Sequence, residues 1–219
     1  MCGRFAITLP DESMAQLFDA TLANDLPDIP NYNVCPTTQI HVVTGGDTRH
    51  LLPMRWGFIP VWYKKPNGGP LLINARSETI AEKPAFKKAV RETRCLIPCS
   101  GFYEWTRLED GTKLPWYIYR RDGEPMVFAA VWREWEADGD VIRTCAMVTT
   151  AATGPMAEIH HRTPVILEPE NWALWLGEEG HGAATLMQAP ADDVINFHRV
   201  DPAVNSNRAS GPELIEDIE

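Results

Sequence analysis

Between Arg94 and Thr149 the chain runs through short stretches dominated by β-branched and aromatic residues: Arg94–Pro98, Trp116–Arg120, Met126–Trp132 and Val141–Thr149. Asp110-Gly111, Asp122-Gly123 and Asp138-Gly139 punctuate them. Such side chains fit a pleated surface, and Asp-Gly supplies the positive φ that a tight hairpin turn demands. Strand following strand, with no helix between, rules out βαβ alternation. The pattern predicts an antiparallel-rich α+β fold with peripheral helices.

Elsewhere the signals are shorter. Asp11–Ala20 reads as an amphipathic helix, with Met14, Leu17 and Phe18 at helical spacing. Ile40–Thr44 and Leu51–Arg55 read as strands around Gly45-Gly46, and Leu71–Asn74 as a buried strand. Pro66–Pro70 reads as a loop, and Ala81–Glu92 as a helix with Pro84 in its first turn. Two more short helices are expected after Pro169 and Pro190. With 219 residues and no repeat or long linker, residues 1–219 are read as one domain.

Hydrophobic residues make up 44%, enough for a sizeable core. No apolar run approaches the roughly 18–20 residues of a membrane span. The start, MCGRFAITLPDES, lacks the basic head and apolar stretch of a signal peptide, so a cytoplasmic protein without membrane contact is expected. The five cysteines are an odd set for a disulfide scaffold, and Cys95 and Cys99 lack companions at zinc-finger spacing. No metal or cofactor is therefore expected. With 20 basic against 30 acidic residues the net charge is −10, which argues against a broad basic nucleic-acid coat but leaves room for a narrow groove.

Cys2 is the first chemical clue. Removal of Met1 is usual before a small second residue, and the mature chain would then begin with an amine and a thiol on adjacent carbons. Such an aminothiol condenses with an aldehyde: the amine gives an imine, and the thiol closes a five-membered thiazolidine. Both groups have reference pKa values near ~8–8.5, so both are partly nucleophilic at neutral pH. Taken alone, Cys2 reads more simply as an incidental small residue.

Its company changes that. In order come Met-Cys-Gly-Arg-Phe at the start, Tyr32-Asn33-Val34-Cys35-Pro36, Arg55-Trp56-Gly57-Phe58-Ile59-Pro60 and Ile73-Asn74-Ala75-Arg76-Ser77-Glu78-Thr79. Then follow Arg94-Cys95-Leu96-Ile97-Pro98, Gly101-Phe102-Tyr103-Glu104-Trp105, Ile159-His160-His161-Arg162-Thr163-Pro164, Val204-Asn205 and Gly211-Pro212-Glu213-Leu214-Ile215. The series resembles the SRAP family, the SOS-response-associated peptidase domain, from Cys2 to about Ile215. Each motif alone is weak; the ordered set is specific. The resemblance implies curved β-sheets forming a barrel-like core. It also implies a protein that binds single-stranded DNA and crosslinks to abasic sites, whose ring-opened sugar presents an aldehyde. Association with the nucleoid when DNA is bound, and a monomer, are expected.

The family's active-site positions match Cys2, Asn74, Glu104 and His160. Glu104 lies between Tyr103 and Trp105, aromatics expected to desolvate it and raise its pKa, although a surface strand residue is an equal reading from local sequence. His160 titrates near neutrality and can shuttle a proton; His161, if the segment is extended, points the other way. Asn74 can hold the Cys2 amine or bond the sugar. Arg4, Arg76 and Arg162 each sit beside one of these residues and read as a phosphate clamp, with a surface ion pair as the rival. Trp62 and Tyr63 read as a base-stacking pair, with core packing as the rival. Pro36 and Thr149 match positions lining the family's DNA channel, and Phe86 and Lys87 a segment that parts strand from duplex. Cys35 and Cys99 stand where alanine is expected.

The function expected is covalent capture of abasic DNA through Cys2, with minor AP-lyase strand cleavage by β-elimination. A cysteine peptidase built on Cys2, His160 and Glu104, releasing Met1 autocatalytically, is the first rival. A non-catalytic single-strand-binding module is the second.

Overall fold

The computed structural model describes residues 2–137 and 139–218. Met1, whose removal the aminothiol requires, and Asp138 of the third Asp-Gly turn lie outside the described residues.

The strands in chain order are β1 (Phe5–Ile7), β2 (Ala20–Leu22), β3 (Asn31–Val34), β4 (Gln39–Thr44), β5 (Arg49–Trp56), β6 (Asn74–Arg76), β7 (Arg94–Cys99), β8 (Gly101–Arg107), β9 (Lys113–Arg120), β10 (Met126–Ala137), β11 (Asp140–Ala151), β12 (Arg162–Pro164) and β13 (Ile195–Arg199). The helices are short: α1 (Asp11–Phe18), α2 (Ala89–Glu92), α3 (Met156–Ile159) and α4 (Trp172–Leu176). One sheet runs β13-β9-β8-β1-β3; the other runs β12-β11-β10-β7-β4-β5-β2, with β6 added on β11. A further parallel pairing, Thr144 with Arg55 and Cys145 with Trp56, joins β11 back to β5. That seam closes β11-β10-β7-β4-β5 into a ring, the barrel-like core expected. A closed ring leaves no exposed edge among its members.

The two sheets meet through aromatic rings. Phe5 and Phe102 come from the first sheet, Trp56 and Phe128 from the ring of strands. Phe5 lies 5.2 Å from Trp56 and Phe102 lies 5.8 Å from Phe128, both edge to face. Each buried phenylalanine contributes roughly 1.5–3 kcal/mol, which pins β1 and β8 to the barrel. A smaller apolar cluster of Tyr103, Tyr117, Val200, Val204 and Leu214 holds the C-terminal segment on the other face of the first sheet.

Several expected elements differ. Only Ala89–Glu92 is α-helical in the 81–92 stretch; residues before it form successive turns, because Pro84 lacks an N–H and disfavours helix at Lys83. Pro190 is followed by β13 instead of a helix, paired on β9 from Ile195 with Arg120 to Arg199 with Trp116. Asp122-Gly123 joins β9 to β10, which lie in different sheets, so it is a crossover turn and not a hairpin. The Leu71–Asn74 strand shifts to Asn74–Arg76, with Leu72 forming only a bridge to Phe58. Phe86 is buried against Phe58 at 5.1 Å, so it is a core residue and not a wedge facing DNA, while Lys87 is exposed.

Candidate active site

Four separate segments bring the candidate catalytic residues together. Cys2 enters just before β1 and is buried. Asn74 opens β6, which lies parallel to β11 with Asn74 opposite Met147. Its Nδ2 donates to the Cys2 carbonyl at 2.9 Å. Its Oδ1 is buried and accepts no hydrogen bond among the described residues. Glu104, in β8, is 3% exposed. His160 follows α3 in extended conformation, and its Nδ1 lies 3.8 Å from Glu104 Oε1.

The burial of Glu104 has a different cause from the one its neighbours suggested. Side chains alternate along a strand, so Tyr103 and Trp105 face away from it, into the smaller apolar cluster. Glu104 faces the inter-sheet side, where Cys2 and Phe102 lie in the main core. Burial there pushes its carboxyl up to about 7, against a bond from the Trp105 backbone that pulls the other way. Burial, with the Glu104 carboxylate nearby, also pushes the Cys2 thiol well above its ordinary range. The thiol therefore rests protonated.

His160 is tied to the backbone of Arg162. Its Nδ1 lies 3.0 Å from the Arg162 N–H and 3.2 Å from the Arg162 carbonyl, which fixes the orientation of the ring. Burial lowers its pKa, keeping it neutral. His161 does not point away. The chain bends there, and the two rings lie 4.3 Å apart with His161 exposed.

The three arginines differ. Arg76 is exposed, on the same face of β6 as Asn74. Arg4 is half-buried; its Nη1 donates to Asn33 Oδ1 and to the Val204 carbonyl, both at 2.7 Å. Arg162 is 8% exposed, and both its amino groups are engaged by Glu78. Its Nη2 also donates to the Thr149 carbonyl at 2.7 Å. A phosphate reaching Arg162 must displace Glu78. Thr149 is fully buried, so it holds Arg162 and faces no open channel. Glu78 was missed at the sequence level; only its place in the Ile73–Thr79 motif marked it.

Pro36 is half-buried, beside Thr37 with its φ of 73°. Trp62 is 54% exposed and available for stacking. Tyr63 is a loop brace: its hydroxyl donates to the Pro70 carbonyl at 3.1 Å, and its ring lies so close to Gly69 that a Cβ there would sit 2.5 Å from it. No hydrogen bond or ring contact among the described residues joins Trp62 or Tyr63 to the Cys2 cluster. Cys99 is fully buried and Cys35 half-buried, and both are free thiols. Among the described residues no group of three or more His, Cys, Asp or Glu is placed to hold a metal, and no helix is long and apolar enough to cross a membrane.

The chain is 36% identical over 224 residues to the abasic site processing protein YoqW of Bacillus subtilis, covering 99% of each. It is 34% identical over 228 residues to the abasic site processing protein YedK of Escherichia coli, covering all of both. A crystal structure of a protein from Bacteroides thetaiotaomicron shares the fold with a TM-score of 0.88 at 23% identity, again over both whole chains. The model of the family described as SOS response associated peptidase matches residues 1–207. On sequence and fold together, the chain belongs to the SOS response associated peptidase (SRAP) family.

Proposed function

We propose that this protein captures abasic sites in single-stranded DNA by forming a thiazolidine with Cys2 once Met1 is removed. The observation that carries the proposal is the convergence of Cys2 and Asn74, joined by a 2.9 Å hydrogen bond, with the buried Glu104 and the half-buried His160 beside it. The similarity to YoqW and YedK, both named abasic site processing proteins, points to the same substrate.

The steps follow from the protonation states. Glu104, near pKa 7, is populated as both acid and base at neutral pH. As an acid it protonates the ring oxygen while the sugar opens to the C1′ aldehyde. The Cys2 amine attacks that carbon, held by Asn74, whose unfilled Oδ1 is a ready acceptor for an N–H. Loss of water from the carbinolamine leaves an imine. The protonated thiol then gives up its proton to Glu104 or His160, and its sulfur adds to the imine carbon, closing the ring. A thiol that rests protonated suits this amine-first order better than it suits a peptidase nucleophile. When ring closure lags, removal of a C2′ proton from the imine cuts the strand by β-elimination, a minor AP-lyase route. Arg4 and Arg76 contact phosphate, Arg162 does so when Glu78 yields, and Trp62 stacks on a base.

Intact mass and peptide mapping after mixing with an abasic oligonucleotide test the reading. The expected product is a heat-stable adduct mapped to Cys2, absent in Cys2→Ala and in protein that retains Met1. A heat-stable adduct in Cys2→Ala without reductant overturns the thiazolidine mechanism. Cleavage of a peptide without any adduct favours the peptidase, and non-covalent binding alone favours the simple binding module.

A further inference from the structure

The C-terminal segment is stitched to the strands that carry the site, and Asn33 is the central stitch. Asn33, in β3, is 8% exposed with every side-chain polar atom used. Its Nδ2 donates to the Ser206 and Ala209 carbonyls at 2.9 and 2.8 Å. Its Oδ1 accepts from Arg4 Nη1, which also donates to the Val204 carbonyl. A second stitch lies nearby: Trp105 Nε1 donates to Asn205 Oδ1 at 2.6 Å. The strap 204–209 thus touches Arg4, two residues after Cys2, and Trp105, next to Glu104. Val204 anchors it in the smaller apolar cluster.

The chemistry of the Arg4 contacts matters more than their number. Arg162 is held by a carboxylate, which cancels its charge. Arg4 is held by an amide oxygen and a peptide carbonyl, both neutral. Its guanidinium is therefore fixed in direction while keeping its full charge. Only Nη1 is engaged; Nη2 and Nε have no hydrogen-bond partner among the described residues. A long side chain ordered in advance loses less freedom when it meets a phosphate.

We infer that Asn33 is a positioning residue, which aims Arg4 at the DNA backbone by splinting it to the C-terminal strap. The inference rests on the reading of Arg4 as a phosphate contact. It makes the strap a working part of the DNA-binding surface.

The test is a double-mutant cycle read by salt dependence. Undamaged single-stranded DNA is titrated against wild type, Asn33→Ala, Arg4→Ala and the double variant at several salt concentrations. One lost phosphate contact makes the log–log slope shallower by about 0.7. Asn33→Ala is expected to show that change with roughly 5- to 10-fold weaker binding, and the double variant to match Arg4→Ala, since residues acting as a unit are non-additive. A wild-type slope in Asn33→Ala, or losses that simply add in the double variant, overturns the inference. If Arg4→Ala itself keeps the wild-type slope and affinity, it is the phosphate reading of Arg4 that fails. Should Asn33→Ala not fold, Asn33→Asp keeps the volume and the acceptor but sets a carboxylate on Arg4. The same shallower slope is then expected, and an unchanged slope overturns the inference equally.

Discussion

Arg162 and Glu78 meet fork to fork, Nη1 to Oε1 at 2.6 Å and Nη2 to Oε2 at 2.9 Å. The Arg162 guanidinium holds the Glu78 carboxyl down to about 2, from an ordinary 4.5. A carboxyl with a depressed folded pKa contributes stability that is present above its unfolded pKa and lost as pH falls through the folded one. Glu78→Gln is expected to lower stability by about 1 kcal/mol at pH 7, a modest figure because the carboxylate is half exposed. The gap to wild type should narrow as pH falls from 4.5 toward 2. Urea unfolding at pH 7 and at about pH 3 measures it. A gap that does not change with pH assigns the loss to something other than the ion pair.

Glu104→Gln separates chemistry from binding. The amide keeps the shape but carries no transferable proton. Adduct formation at saturating protein should slow by roughly 10²-fold or more, while affinity for undamaged single strand stays close to wild type. Reaction at the wild-type rate under saturation makes Glu104 structural.

The same substitution should change how stability depends on pH. In wild type the folded carboxyl titrates near 7 and the unfolded one near 4.5. Between those values the folded state holds a proton the unfolded chain has released, so stability falls as pH rises through the window. Glu104→Gln lacks that proton. Its melting temperature relative to wild type should therefore climb between about pH 4.5 and 7 and level off beyond. A difference that stays level across the window contradicts a buried, upshifted carboxyl.

Asn74→Ala should uncouple reactivity from folding. It removes one hydrogen bond, to the Cys2 carbonyl, but also a buried acceptor without a partner. These effects oppose each other, so stability should change by less than about 1 kcal/mol. Adduct formation should slow by roughly 10-fold or more, the scale of losing a group that orients a nucleophile. Unfolding melts beside adduct time courses decide it. Equal, proportionate losses in both would leave Asn74 a scaffold residue.

Wild-type salt dependence should be shallow. With Arg162 engaged by Glu78, Arg4 and Arg76 supply about two phosphate contacts, for a log–log slope near −1.4. Fluorescence anisotropy on an undamaged oligonucleotide measures it. A slope near −8 would require a broad basic face that this acidic chain does not carry.

What the sequence made legible follows the range of the interactions. β7, β10 and β11 announce themselves through runs of Val, Ile and aromatics, and α1 through Met14 and Phe18. The three-residue strand β1 does not, because it exists through pairing with the distant β3 and β8, Phe5 lying opposite both Val34 and Phe102. β13 resembles a polar loop before a helix, and becomes a strand because the edge of β9 is open to it. At the site, the ordered motifs named Cys2, Asn74, Glu104 and His160, but not how they are held. Tyr103 and Trp105 suggested the wrong source of burial, since period-2 alternation turns them to the far face. Glu78 and Asn33 carry no local signature. Each acts through a partner at least 29 positions away, Arg162 or Arg4.

The strand β11 serves two structures at once. Its early residues pair with β10 and seal the barrel through β5; its later ones carry β6, with Asn74 and Arg76, and β12, with Arg162. The site end therefore cannot peel away without straining the barrel end. Amides along residues 144–150 should exchange with deuterium only when the whole molecule opens, with no cheaper local route. Any adjustment needed to admit a damaged nucleotide then falls to side chains such as Glu78 and to the DNA itself, while the cradle beneath them stays still.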